Sequence, residues 1–65
     1  MNIQIGNQVK WSSAAGVLQG EVVKIKSALN AAGNYIDWFY IKTNTKHKTV
    51  VLPVTSLKML KFQII

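Results

Sequence analysis

The segment from Tyr35 to Ile41 constrains this chain more than any other. Six of its seven residues, Tyr35, Ile36, Trp38, Phe39, Tyr40 and Ile41, favour extended backbone, because branched and aromatic side chains pack well on a pleated surface. Side chains alternate along a strand, so Tyr35, Asp37, Phe39 and Ile41 fall on one side and Ile36, Trp38, Tyr40 and Lys42 on the other. Both sides are apolar. One fills a core, and the other, with Trp38 and Tyr40, is left to meet solvent, a ligand or another subunit.

The rest of the chain reads in the same way. Val9-Lys10-Trp11 alternates apolar and charged after a Gly6-Asn7 turn and predicts a first strand. Ser12 to Gly16 is small and reads as a hairpin loop. Leu18 to Lys26 forms a second strand, in which the adjacent Val22 and Val23 break alternation and predict a bulge or bend near Gly20. Ser27 to Asn34, closed by Gly33-Asn34, reads as a long loop with room for one helical turn. Tyr35 to Lys42 is the third strand and Thr43 to Lys46 a turn. His47 to Leu52 is the fourth strand, stopped by Pro53, which has no N–H to give a ladder. Val54 to Leu57 suits a single tight turn. Lys58 to Ile64 is a last strand with Leu60, Phe62 and Ile64 on one face.

Five short strands in 65 residues allow one domain, residues 1–65. A chain this small usually needs a disulfide, a metal or a partner subunit as extra support, and with no cysteine and the single histidine His47 only a homo-oligomer is left. Bare sheet edges invite aggregation, so closure is expected. The expected fold is all-β, a five-stranded SH3-like partly open barrel with a short helical turn before the last strand, an OB-type barrel being the rival. No basic start with an apolar run marks a signal peptide, and the apolar stretch Thr49 to Leu57 is far below the ~20 residues of a membrane helix. A cytoplasmic protein without a membrane partner is expected, which the lack of cysteine also fits.

Eight lysines and no arginine face only Glu21 and Asp37, for a net charge of +6. Such a surplus attracts phosphates or acidic proteins in a salt-dependent way. Lys24 and Lys26, Lys42, and Lys46 and Lys48 are placed by alternation to form a basic rim that could follow a phosphate backbone. The competing use of lysine is solubility and protection of sheet edges. Without arginine, the commonest reader of base edges is missing, so contact with nucleic acid is expected to be backbone-driven. Trp38 and Tyr40 have three candidate uses: packing in a subunit interface, stacking on bases, or caging a methylated amine. The leading expectation is weak, sequence-independent nucleic-acid binding, and the alternative is a protein-interaction or self-assembly module on the second apolar face of strand three. No enzyme is expected, since His47, between Lys46 and Lys48, reads as a solvated turn residue and leaves only two carboxylates and some hydroxyls for catalysis. The same scarcity leaves no metal site and no cofactor.

Two resemblances accompany this reading. Gly6-x-x-Val9-x-Trp11 followed by Gly20-x-Val22-x-x-Ile25, across residues 3–26, resembles the opening of Tudor-like and KOW-like SH3-like barrels. That resemblance implies a binding module for nucleic acid or protein. Ser13-Ala14-Ala15, Gln19-Gly20-Glu21-Val22 and Pro53-Val54-x-x-Leu57 are similar to the plasmid-borne type II dihydrofolate reductases, which are tetrameric SH3-like barrels. In that family a valine-glutamine-isoleucine-tyrosine stretch before the proline lines the active pore. Here those positions are Thr49, Val50, Val51 and Leu52, so this resemblance implies the fold and oligomerisation but not the reaction.

Overall fold

Strand β1 (Gln8–Ser13) leaves a turn in which Gly6 takes φ 96°, a left-handed conformation that L side chains rarely adopt. The structure is a computed structural model and describes residues 3–44, 48–57 and 59–65. A tight turn, in which the Ser13 hydroxyl donates to the Gly16 carbonyl at 2.8 Å, returns the chain as β2 (Gly16–Leu29). Strands β3 (Tyr35–Thr43) and β4 (Thr49–Pro53) follow, then a 3-10 turn over Val54–Ser56 and the two-residue β5 (Gln63–Ile64). All pairings are antiparallel, in the order β4-β3-β2-β1-β5. The sheet bends round one core without joining its ends, so the architecture is the expected all-β, five-stranded, partly open barrel with one short helical turn before the last strand.

The core follows from alternation. Val9 and Trp11 of β1, Val22 of β2, and Phe39 and Ile41 of β3 point inward, and Ile3, Leu57 and Phe62 close the ends. Trp11 and Phe62 stack with ring centroids 5.6 Å apart. Thr43 is also buried, and its hydroxyl is satisfied by donating to the Lys48 carbonyl at 3.1 Å.

The valine pair does mark a bulge, but at a different place. The β2–β3 register shifts between Val22 and Lys24, so Val23 is the extra residue: Val22 is fully buried and Val23 exposed. Gly20 has another task, described below. Strand β2 also runs further than expected, because Ser27, Ala28 and Leu29 pair with Asp37, Ile36 and Tyr35 in a two-stranded ribbon beyond the reach of β1 and β4. The expected long loop shrinks to residues 30–34. Asn30 closes it by accepting the N–H groups of Ala32 and Asn34, each at 3.0 Å, on its side-chain oxygen.

The ribbon explains why one side of β3 is only half core. Phe39 and Ile41 lie under the barrel, whereas Asp37 and Tyr35, on the same side, have left it and are exposed. The last strand differs most. The Phe62 N–H returns to the Leu57 carbonyl at 3.0 Å and Lys61 takes φ 53°, so residues 59–61 turn and only Gln63 and Ile64 pair with β1. Phe62 is buried and Leu60 packs on the core, but Ile64 is exposed.

Candidate nucleic-acid interface

Register and alternation decide which side chains meet. Lys24 lies directly opposite Tyr40, and Lys26 directly opposite Trp38. On the other flank of β3, Tyr40 faces Val51 and Trp38 faces Pro53. Side chains opposite one another share a face, so Lys24–Tyr40–Val51 and Lys26–Trp38–Pro53 are two rows across the outward side of the sheet. Glu21–Lys42–Thr49 is a third. Rows two residues apart are separated by about 6.7 Å.

The electrostatics of this face are one-sided. Asp37 points to the opposite face with Ser27, whose hydroxyl donates to its carboxylate at 2.8 Å. Glu21 is therefore the one carboxylate on the lysine face, at its Lys42 end, where it accepts a hydrogen bond from the Gln8 side-chain amide at 3.3 Å. The Lys24 ammonium sits 5.4 Å from the centroid of the Tyr40 ring, a cation–π arrangement.

Of the five rim lysines, Lys24, Lys26 and Lys42 are exposed on this face. Lys48 is exposed too, but continuing the β3–β4 register pairs position 48 with the buried Thr43, on the inward side of the ladder. Lys46 lies outside the described residues, as does His47. The aromatics are less open than a stacking platform requires. Trp38 and Tyr40 are half-buried, and the indole N–H of Trp38 is covered and has no acceptor among the described residues.

Two further lysines among the described residues, Lys10 and Lys61, lie outside the expected rim. Lys10 lies on the outward side of β1, opposite Gln19 and Gln63, and with Ser12, Val17, Lys61 and Gln63 it lines an open groove. Lys10 was legible, since its neighbours Val9 and Trp11 are plain core residues. Lys61 was not, because its left-handed backbone is one that lysine seldom adopts.

For chemistry, the face offers cations, ring edges, an amide and the one carboxylate of Glu21. Among the described residues no three His, Cys, Asp or Glu side chains converge as a metal site would require. Thr49, Val50, Val51 and Leu52, just before Pro53, lie in β4, where Val50 and Leu52 pack against the core and Thr49 and Val51 face outward. Among the described residues no helix is long and apolar enough to cross a membrane. In comparison with known proteins, no family model, no curated protein and no solved structure matches this chain.

Proposed function

We propose that this protein is a small, non-enzymatic binding module of the SH3-like barrel type, related to Tudor-like and KOW-like domains, that holds nucleic acid weakly and without sequence preference in the cytoplasm. One observation supports this above the rest. Lys24, Lys26 and Lys42 share a face with Trp38 and Tyr40, while Asp37 is turned to the other side. Phosphates approaching this face meet cations in rows and a single carboxylate at one end. Ammonium groups attract a phosphate backbone without fixing register, and no arginine is present to read bases. The half-buried rings assist at their edges, and the charge leads.

The expected signature is electrostatic. Three lysines that neutralise about three phosphates give a slope of log affinity against log salt near about −2.7 on duplex DNA. Affinity then falls about 40-fold between 50 and 200 mM salt. Fluorescence anisotropy with labelled single-stranded and duplex oligonucleotides at those two concentrations tests this, and no binding at 50 mM sinks it.

A second reading rests on the apolar part of the same face. Val51 is 42% exposed beside Tyr40, and Val23 is 43% exposed next to Lys24, so the rows also suit a subunit interface. Light scattering separates the two uses. A strict monomer at high concentration removes self-assembly, whereas an oligomer that Trp38→Glu dissociates without unfolding supports it.

A further inference from the structure

Strand β4 (Thr49–Pro53) is an edge of the sheet: among the described residues its ladder partner is β3 alone. One hydrogen bond decides which backbone groups it leaves free. The Thr43 N–H donates to the Lys48 carbonyl at 2.9 Å, and these two residues stand opposite when the register is continued by one step, so they are a hydrogen-bonded pair. Hydrogen-bonded and non-bonded pairs alternate along an antiparallel ladder. The amides of Val50 and Leu52 therefore turn toward β3. Those of Thr49 and Val51 turn away from it, and among the described residues no backbone acceptor takes them. Pro53 belongs to the outward set as well, where its missing N–H leaves the ladder intact.

An edge strand is normally blunted by lysine, by a bulge, by internal proline or by being very short. Strand β5, at the other edge, has two residues. Strand β4 has the sequence Thr-Val-Val-Leu-Pro, with no charge, no bulge and its proline at the very end. It thus presents two N–H donors and two carbonyl acceptors in line, and the one charge beside it is Lys48, just before the strand begins.

We propose that β4 accepts an extended acidic segment of a partner protein as a sixth, antiparallel strand. Charge selects this occupant. Lys48 is exposed at the start of β4, and Lys42 is exposed one strand inward, opposite Thr49. Glu21 lies opposite Lys42 on its β2 flank, away from β4, and Asp37 is beyond the end of the β3–β4 ladder, so no carboxylate stands on the β4 edge itself. A second copy of this chain would bring Lys42 and Lys48 of both molecules to one seam and join two chains of net charge +6. An acidic strand reverses that sign at the same positions. In antiparallel order its last two residues face Thr49 and Lys48, and those before them face Leu52 to Val50. The segment is therefore an apolar, β-favouring run that ends in two carboxylates, held by main-chain hydrogen bonds and selected by charge.

A capped, fluorescently labelled eight-residue peptide that alternates valine and threonine and ends in two glutamates is the probe, with a twin ending in two lysines as its control. Anisotropy with the full chain at low salt should show the glutamate peptide bound at least tenfold more tightly than its twin, and weakened by added salt. Val51→Pro places a ring where the outward N–H was and should reduce binding at least tenfold with an unchanged far-UV spectrum. If that variant does not fold, N-methylation of the peptide gives the same readout: methyl groups on one alternating set of amides should abolish binding and on the other set spare it. The proposal is overturned by absence of binding at low salt, by equal binding of the lysine twin, or by indifference to both backbone blocks. A dimer that Val51→Pro makes monomeric also overturns it, since the occupant is then a second copy.

Discussion

Gly20 and Ile41 approach so closely across the β2–β3 ladder that a side chain at position 20 has nowhere to go. A Cβ built on Gly20 would lie 2.8 Å from Ile41 Cγ2 and closer still to the Lys42 carbonyl oxygen. Ile41 is fully buried and the other obstacle is backbone, so neither yields by a simple rotamer change. Gly20→Ala should therefore destabilise the barrel by about 2 kcal/mol or more, in the range of overpacked cores. For a domain this small that corresponds to a fall in Tm on the order of 10 °C. A melting curve within 2 °C of the parent would show that the strands can move apart at no such cost.

The bulge makes an opposite pair of Val22 and Val23. Val22 has no exposed surface and sits in the core opposite Ile41, whereas Val23 is the unpaired extra residue and is 43% exposed. Val23→Lys should change stability by no more than about 0.5 kcal/mol, as surface substitutions usually do. Val22→Lys buries an unpaired ammonium and should leave the chain unfolded at room temperature. Urea titrations of the two variants decide the matter; similar midpoints would mean that the bulge is elsewhere.

The extent to which this could be read from the sequence depends on the range of the forces at each position. Alternation is local, so Val9 and Trp11, the inward Phe39 and Ile41, and the pairing of Trp38 with Tyr40 on the other face were all legible. The adjacent valines announced a bulge, but the residue that bulges is fixed by the register with β3, which no stretch of β2 contains. The ribbon at Ser27 to Asp37 was hidden for a similar reason. Ala28 and Leu29 have little strand preference of their own, and they are extended because Ile36 and Tyr35 lie opposite. Lys61 was missed through its rare backbone, and with it the shortness of β5. In the candidate site, local alternation placed Lys24 with Lys26, but they share a face with Lys42 only through the bulge at Val23, and whether Lys48 joins them depends on the β3–β4 register, which sets it opposite Thr43.

Trp38 has a covered indole N–H with no acceptor among the described residues, and a buried donor left unmet costs about 1–3 kcal/mol. Replacing Trp38 by 3-benzothienylalanine, which keeps the ring shape and puts sulfur in place of N–H, removes that donor with little change in packing. The variant should be as stable as the parent or more stable, by up to about 1 kcal/mol. A loss of stability beyond that size in chemical denaturation would mean that the N–H has found an acceptor after all.

The lysine rows make the last prediction quantitative. Lys24 and Lys26 are successive outward residues of β2, about 6.7 Å apart along the strand and free of any carboxylate directly opposite. If each meets one phosphate, replacing both with alanine should lower the salt slope on duplex DNA by about 1.8 and weaken binding evenly across sequences. Glutamine at both positions should do the same, because it keeps a polar, hydrogen-bonding side chain and loses the charge. Tyr40 supplies the internal comparison. With Lys24 replaced, the cation over its ring is gone, so any stacking of bases on Tyr40 should become easier. Lys24→Gln alone should therefore reduce the slope by about 0.9 while costing single-stranded oligonucleotides less affinity than duplex. Paired titrations of the variants on both kinds of strand, each at several salt concentrations, measure the two effects separately; unchanged slopes would remove this face from the binding surface.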